Sequence, residues 1–182
     1  MNHTTMQYEQ ACAPLTAVLD AVPAHHWSEP SPCQGWSARD VLRHMIDTQR
    51  EFLTGQRIDL GEPPDIEADP AAAWRAHARR VVEAIADDAV PAIAYDGHFG
   101  PTTVGATLER FYMWDMLVHR WDIAHAVGAD AGFTDAELDQ IDRGAAGFGQ
   151  SLHMDGVCKP ALEPPADADR TVRLLARLGR KA

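Results

Sequence analysis

Asp115 and His119 stand one helical turn apart in Met113-Trp114-Asp115-Met116-Leu117-Val118-His119-Arg120-Trp121, a segment that is otherwise largely apolar. At about 100° per residue, positions four apart differ by roughly 40° around a helix, so both side chains project from one face and can grip one ion. Leu117, Trp121 and Ala124 define a separate, core-facing stripe. Leu108, Phe111 and Tyr112 fall one turn earlier on the side of the pair, which makes the pair semi-buried. A carboxylate there needs compensation, because an uncompensated charge in apolar surroundings costs several kcal/mol. Two readings satisfy that need: a hydrogen-bonded Asp-His pair at helical spacing, or a metal site. A third ligand separates them. His44, in Val41-Leu42-Arg43-His44-Met45-Ile46, is the natural candidate, although a histidine on an apolar face can also be a satisfied core residue. Two imidazoles and one carboxylate from two helices suit a divalent transition metal with positions left for water or substrate.

Other side chains carry weaker signals. Trp36 and Trp121 read as packing residues. Cys33 reads as a small buried hydrophobe rather than a reactive thiol near the metal. His98, isolated between Gly97 and Pro101, sits on a loop from which it can fold over a site or stay outside it. His125 lies about 120° around the helix from His119 and is no fourth ligand, whereas Asp122, within roughly 60°, can orient one. Arg120 reads as a surface-pairing or snorkelling side chain, with a substrate carboxylate as its alternative partner.

The composition bounds what such a site can serve. At 182 residues the chain is read as a single domain over 1–182. A net charge of −11 and a sequence pI of about 5.1 argue against nonspecific nucleic-acid binding, which needs a basic surface. No run reaches the ~20 apolar residues of a membrane helix, and the start lacks a charged-then-apolar signal pattern, so a cytoplasmic location is expected. Cys12, Cys33 and Cys158 are odd in number and widely spaced, which excludes a disulfide framework and reads as reduced thiols. Of the 16 basic residues all but Lys159 and Lys181 are Arg, a bias that, with the many Ala, points to a GC-rich bacterial genome.

The elements that must position these residues read as helices. The pattern predicts a first helix from about Thr5 to Val22, a loop from Ser28 to Gly35, and a second helix opened by Ser37 with Asp40 reciprocating in a capping box and ending near Thr54. An extended connector with Pro63, Pro64 and Pro70 leads to a third helix over about Pro70 to Val90. A fourth helix, about Val104 to Val127, carries the pair and stops at Gly128, and a fifth fits Thr134 to Gln150. An irregular proline arm and a short helix over Ala168 to Leu178 close the chain. No strand pattern of comparable quality is present, so the class is all-α, a bundle able to hold a metal between facing helices.

Two blocks are similar to a known family. Ser31-Pro32-Cys33-Gln34-Gly35-Trp36-Ser37-Ala38-Arg39-Asp40-Val41-Leu42-Arg43-His44 resembles the PC-x-GW-x-x-x-D-hydrophobic-x-x-H block of the mycothiol-dependent maleylpyruvate isomerase N-terminal domain, in the DinB-like superfamily. Asp115 through Ala124 resembles that family's acid-x-x-x-H-x-WD-x-A helix, and the tail from Asp169 to Arg180 resembles the ending of its short actinobacterial metal-binding members. The resemblance implies a DinB-like four-helix bundle with additional short C-terminal helices and a divalent metal held by His44, Asp115 and His119; the imidazole and carboxylate donors themselves suit Zn²⁺ first and Ni²⁺ second. It also implies mycothiol as a thiol cofactor and an electrophilic substrate for transfer or isomerisation. Metal-assisted hydrolysis and a noncatalytic bundle for sensing or partner binding are the alternatives. The isomerase has Glu where this chain has Asp115, and it carries a further C-terminal domain that this chain replaces with a short tail. A homodimer is the expected assembly.

Overall fold

The computed structural model of the chain describes residues 1–154 and 156–182. In order these form α1 (His3–Asp20), α2 (Ala38–Gly55), α3 (Pro70–Ile85), β1 (Ala94–Gly97), β2 (Gly100–Thr103), α4 (Val104–Thr107), α5 (Met113–Ala126), α6 (Asp135–Phe148) and α7 (Arg170–Arg177). A π-helical turn, Leu108–Tyr112, joins α4 to α5, and short 3-10 turns cover Ala24–His26 and Gly149–His153. The all-α class expected from the sequence holds, and among the described residues no helix is long and apolar enough to cross a membrane.

Helix starts are set by local chemistry. Asn2 accepts from the Thr5 amide to cap α1, and Asp69 accepts from the Ala72 amide to cap α3. Ser37 and Asp40 form the expected capping box at α2: the Ser37 amide donates to Asp40 Oδ2 at 2.9 Å, and the Asp40 amide donates to Ser37 Oγ at 3.2 Å. Thr134 and Glu137 repeat the device at α6. Helix α3 stops at Ile85, short of the expected Val90, because Asp87 accepts from the Ala89 amide and the chain then turns into Pro91.

Helices α1, α2, α3 and α5 pack on one another as a four-helix bundle. Its core includes Tyr8, Leu15, Leu42, Met45, Trp74 and Met116, and each such apolar side chain stabilises the fold by about 1.5–3 kcal/mol relative to exposure. Helix α5 is buried on two sides, which explains its all-round apolarity. Met113, Met116 and Ile123 face the bundle, while Trp114, Leu117 and Val118 meet Leu138 and Ile141 of α6 and Leu174 of α7. Trp121 and Ala124 meet Leu175. The Leu117-Trp121-Ala124 stripe is thus core-facing as expected, but the core it faces is this outer C-terminal layer. The layer sits close enough that a Cβ on Gly144 would lie 2.1 Å from Trp114 Cδ1, and Trp114 Nε1 donates to the Ile141 carbonyl at 3.0 Å.

Two further features depart from the sequence reading. The strands β1 and β2 form an antiparallel hairpin with Gly97 opposite Gly100, where only a break was expected. Four-residue strands, one containing Pro101, are too short for alternation to register. The single fourth helix is interrupted by the π turn, which shifts the register ahead of Asp115. As a result Leu108 points into the bundle core, and Phe111 and Tyr112 stay beside Asp115.

Candidate metal centre

The π turn delivers Asp115 in the first turn of α5, His119 follows one turn later, and His44 approaches from the second turn of α2. His119 Nε2 lies 3.2 Å from Asp115 Oδ1, and His44 Nε2 lies 3.6 Å from Asp115 Oδ2. One donor atom from each of the three residues falls within 4.8 Å of the others. Donors bonded at about 2.0–2.1 Å around a tetrahedral ion are about 3.4 Å apart, close to the two separations that involve Asp115. His119 is nearly buried and the other two are half-buried, as the sequence suggested. Burial opposes ionisation of Asp115, but the charge of His119 and hydrogen bonds from His119 and His44 outweigh it and hold the carboxyl far below the usual range. Burial likewise disfavours the His119 cation, and Asp115 and Asp122 reverse that effect, raising its pKa well above the ordinary value.

Behind this set lies a second layer. Asp122, fully buried, accepts from His119 Nδ1 at 2.8 Å. It also accepts from both Nε and Nη2 of Arg180, at 2.8 and 2.7 Å. Against the cost of burial, the bonds from His119 and Arg180 bring its pKa down to about 2. Cys33 Sγ lies 3.4 Å from Asp122 Oδ2, so Cys33, His119 and Asp122 form a second compact donor group. That group is the poorer ion site, because His119 Nδ1 is engaged by Asp122 and both Asp122 oxygens are engaged by Arg180. Asp122 therefore stands where an orienting carboxylate is expected, hydrogen-bonded to Nδ1 of His119 in an Asp-His arrangement of the kind that backs metal-bound imidazoles.

Arg180 was not singled out from sequence, and it is the main functional residue that reading missed. It reaches Asp122 because α7 ends in a Schellman turn: the Gly179 amide donates to the Ala176 carbonyl and the Arg180 amide to that of Leu175. Gly179 has φ +74, and a Cβ there would lie 2.7 Å from the Lys159 carbonyl oxygen. The Leu178-Gly179-Arg180 ending carried the signal for the turn, though not for its distant partner.

Several expectations are corrected. Trp36 is 38% exposed, with its ring 4.9 Å from that of His44, at the mouth of a cleft rather than in the core. Cys33 is half-buried and makes a polar contact through its sulfur, so it is not simply a buried hydrophobe. Arg120 is fully buried, donates to Glu137 Oε1 at 2.6 Å and lies over the Phe133 ring, tying α5 to α6 instead of reaching the surface. Of the two further histidines, His98, which the sequence left open, is exposed on the hairpin turn and belongs to neither donor group, and His125 stacks on Trp121 outside the site, as expected. Trp121 packs as expected, and all three cysteines are free. The cleft, of about 470 Å³, is walled by Trp36, His44, Asp115, His119, Cys158 and Arg180 among others.

The sequence pattern of the mycothiol maleylpyruvate isomerase N-terminal domain matches residues 8–124, a span that includes His44, Asp115 and His119. The chain is 27% identical over 197 residues to the uncharacterized protein Rv0738 of Mycobacterium tuberculosis, with 96% of each chain covered. It is 25% identical over 136 residues to the uncharacterized protein Rv0036c of the same organism, covering 63% of this chain and 52% of the relative. No solved structure matches it significantly.

Proposed function

The chain belongs to the mycothiol maleylpyruvate isomerase N-terminal domain family, and from that premise we propose that it binds one divalent metal ion through His44, Asp115 and His119 and works on a low-molecular-weight thiol, mycothiol, together with an electrophilic substrate. The observation that carries the reading is the convergence of two imidazoles and one carboxylate within 4.8 Å at the wall of a cleft of about 470 Å³. An ion bound there supplies Lewis acidity that stabilises a thiolate at neutral pH. Zn²⁺ suits this donor set best and Ni²⁺ next, since imidazole and carboxylate discriminate weakly between them.

The residues at the site have distinct tasks. Asp115 contributes negative charge. His119 offers Nε2 because Asp122 holds its Nδ1 proton, and Arg180 holds Asp122 in turn. His44 closes the set from α2, and Trp36 beside it narrows the mouth of the cleft. Three protein ligands would leave a tetrahedral ion short of one donor, which favours a catalytic site over a purely structural one. The whole chain, 1–182, acts as one unit in this proposal, because α7 of the C-terminal layer supplies the turn that carries Arg180.

Metal content tests the ligand assignment. Dialysed wild-type protein is expected to retain about one ion per chain, and His44→Ala and His119→Ala to lose tight binding. Full stoichiometry in both variants removes the assignment. The expected homodimer is part of the same proposal, and sedimentation at micromolar concentration decides it: a dimer supports it and a strict monomer does not.

A further inference from the structure

The cleft does not end at the donor set. A smaller pocket of about 200 Å³ shares His44, Asp115 and Val157 with it, and the Phe111, Phe148 and Val157 walls of that pocket also bound a chamber of about 490 Å³ beneath the hairpin. The chamber differs in chemistry from the first cleft. Phe99 stacks on Phe111 at 5.8 Å with the planes 19° apart, and Phe148 meets Phe111 edge-on at 5.5 Å. The guanidinium carbon of Arg110 lies 5.1 Å from the ring centres of both Phe99 and Phe111. Among the described residues Arg110 donates one bond, to the Gly147 carbonyl at 3.0 Å, and no carboxylate pairs with it.

Exposed apolar surface collects here. Phe99 is 48% exposed, Met154 49% and Val157 38%, and all three line this chamber. Exposed hydrophobes gathered at a concavity mark a binding site, and the volume lies in the range of small-molecule pockets. In a chain of net charge −11, a cation lying against aromatic faces at such a place selects an anion that also stacks.

We propose that this chamber binds a planar, apolar carboxylate, its ring against Phe99, Phe111 and Phe148 and its carboxylate on Arg110, and that it seats the electrophilic substrate. The smaller pocket is then the passage along which the far end of the molecule reaches His44 and Asp115. The identification as electrophile rests on the thiol-transfer reading above, whereas the binding of a planar carboxylate does not depend on the metal.

Calorimetric titration of the full chain with 2-naphthoate and with neutral 2-naphthamide, after chelator treatment and after zinc loading, tests this. Saturable naphthoate binding is expected in both metal states. Arg110→Gln is expected to weaken naphthoate by about tenfold and naphthamide by less than about twofold, and Phe99→Ala to weaken both. Both side chains are exposed, so neither variant threatens the fold. Absence of saturable binding at millimolar naphthoate overturns the proposal. So does binding that disappears with the metal and ignores Arg110→Gln, since the carboxylate then sits on the ion. A wild-type dimer that Phe99→Ala dissociates also overturns it, by assigning the aromatic rim to a second copy of the chain. Failure of the thiol reading is separate: it leaves naphthoate binding in the chelated protein intact.

Discussion

Asp122 Oδ2 accepts from Nδ1 of His119 at 2.8 Å, and this bond decides which nitrogen of His119 faces Asp115. Nε2 then stands 3.2 Å from Asp115 Oδ1, inside the cleft wall that His44 completes. The two aspartates of α5 therefore play different parts, although they are only seven residues apart and both contact the same ring.

Substitution separates those parts. Asp115→Asn is expected to weaken metal binding far more than Asp122→Asn, for which a loss of about 10–100-fold is typical of an orienting carboxylate. Competition titration with a chromophoric chelator gives the ranking. Equal losses, or the larger loss at Asp122, mean that the carboxylates are assigned the wrong way round.

Arg180 is predicted to matter for folding as well as for the site. Arg180→Met leaves the buried Asp122 carboxylate with His119 as its one charged partner, so the cost is expected to approach, from below, the roughly 3–5 kcal/mol of breaking a buried pair. Adding Asp122→Asn removes the stranded charge and should return part of that stability. Urea unfolding of the two single variants and the double variant measures this, and additive losses would contradict it.

Gly144→Ala places a methyl group on the Trp114 ring, within a contact that has no room for it. Overpacking of this kind costs about 1–3 kcal/mol. Thermal unfolding read by tryptophan fluorescence is expected to show a lower midpoint, and an unchanged midpoint would mean that α6 sits farther from α5.

The buried His77 sets a pH window away from the metal centre. It has no exposed surface and bonds Gln49 Oε1 at 3.0 Å; burial, helped by the charges of Arg50 and Arg80, brings its pKa down to about 3. Because the unfolded chain takes up this proton first, the stability it confers is complete above the unfolded value of about 6.5 and falls as pH drops toward 3, by up to about 1.4 kcal/mol per pH unit. His77→Phe is expected to flatten the denaturation profile between these limits. An equally steep profile in the variant would place the titration elsewhere.

The helical class, the capping box at Ser37 and the Asp115-His119 spacing were legible because they depend on neighbours within one turn. The same locality limits the reading. Leu117, Trp121 and Ala124 were recognised as a buried stripe, but a helix buried on two sides carries no mark of which layer each face meets. The π turn left no trace in residue types. Arg180 lies 58 positions from Asp122, so their pairing depends on how α7 docks and not on any spacing. Trp36 and Cys33 were misjudged because an aromatic and a thiol are most often core residues, and only the turn preceding α2 places them at the cleft.

The most direct measurement of the central claim is the absorption spectrum of the Co²⁺-loaded protein titrated with mycothiol. Direct thiolate ligation is expected to add sulfur-to-metal charge-transfer bands, with apparent affinity rising with pH as the thiol proton is released, and His44→Ala to show neither. Retention of Co²⁺ by the wild type with no spectral change at saturating mycothiol, from neutral to mildly alkaline pH, would contradict the account and leave metal-assisted hydrolysis or a noncatalytic metal role in its place.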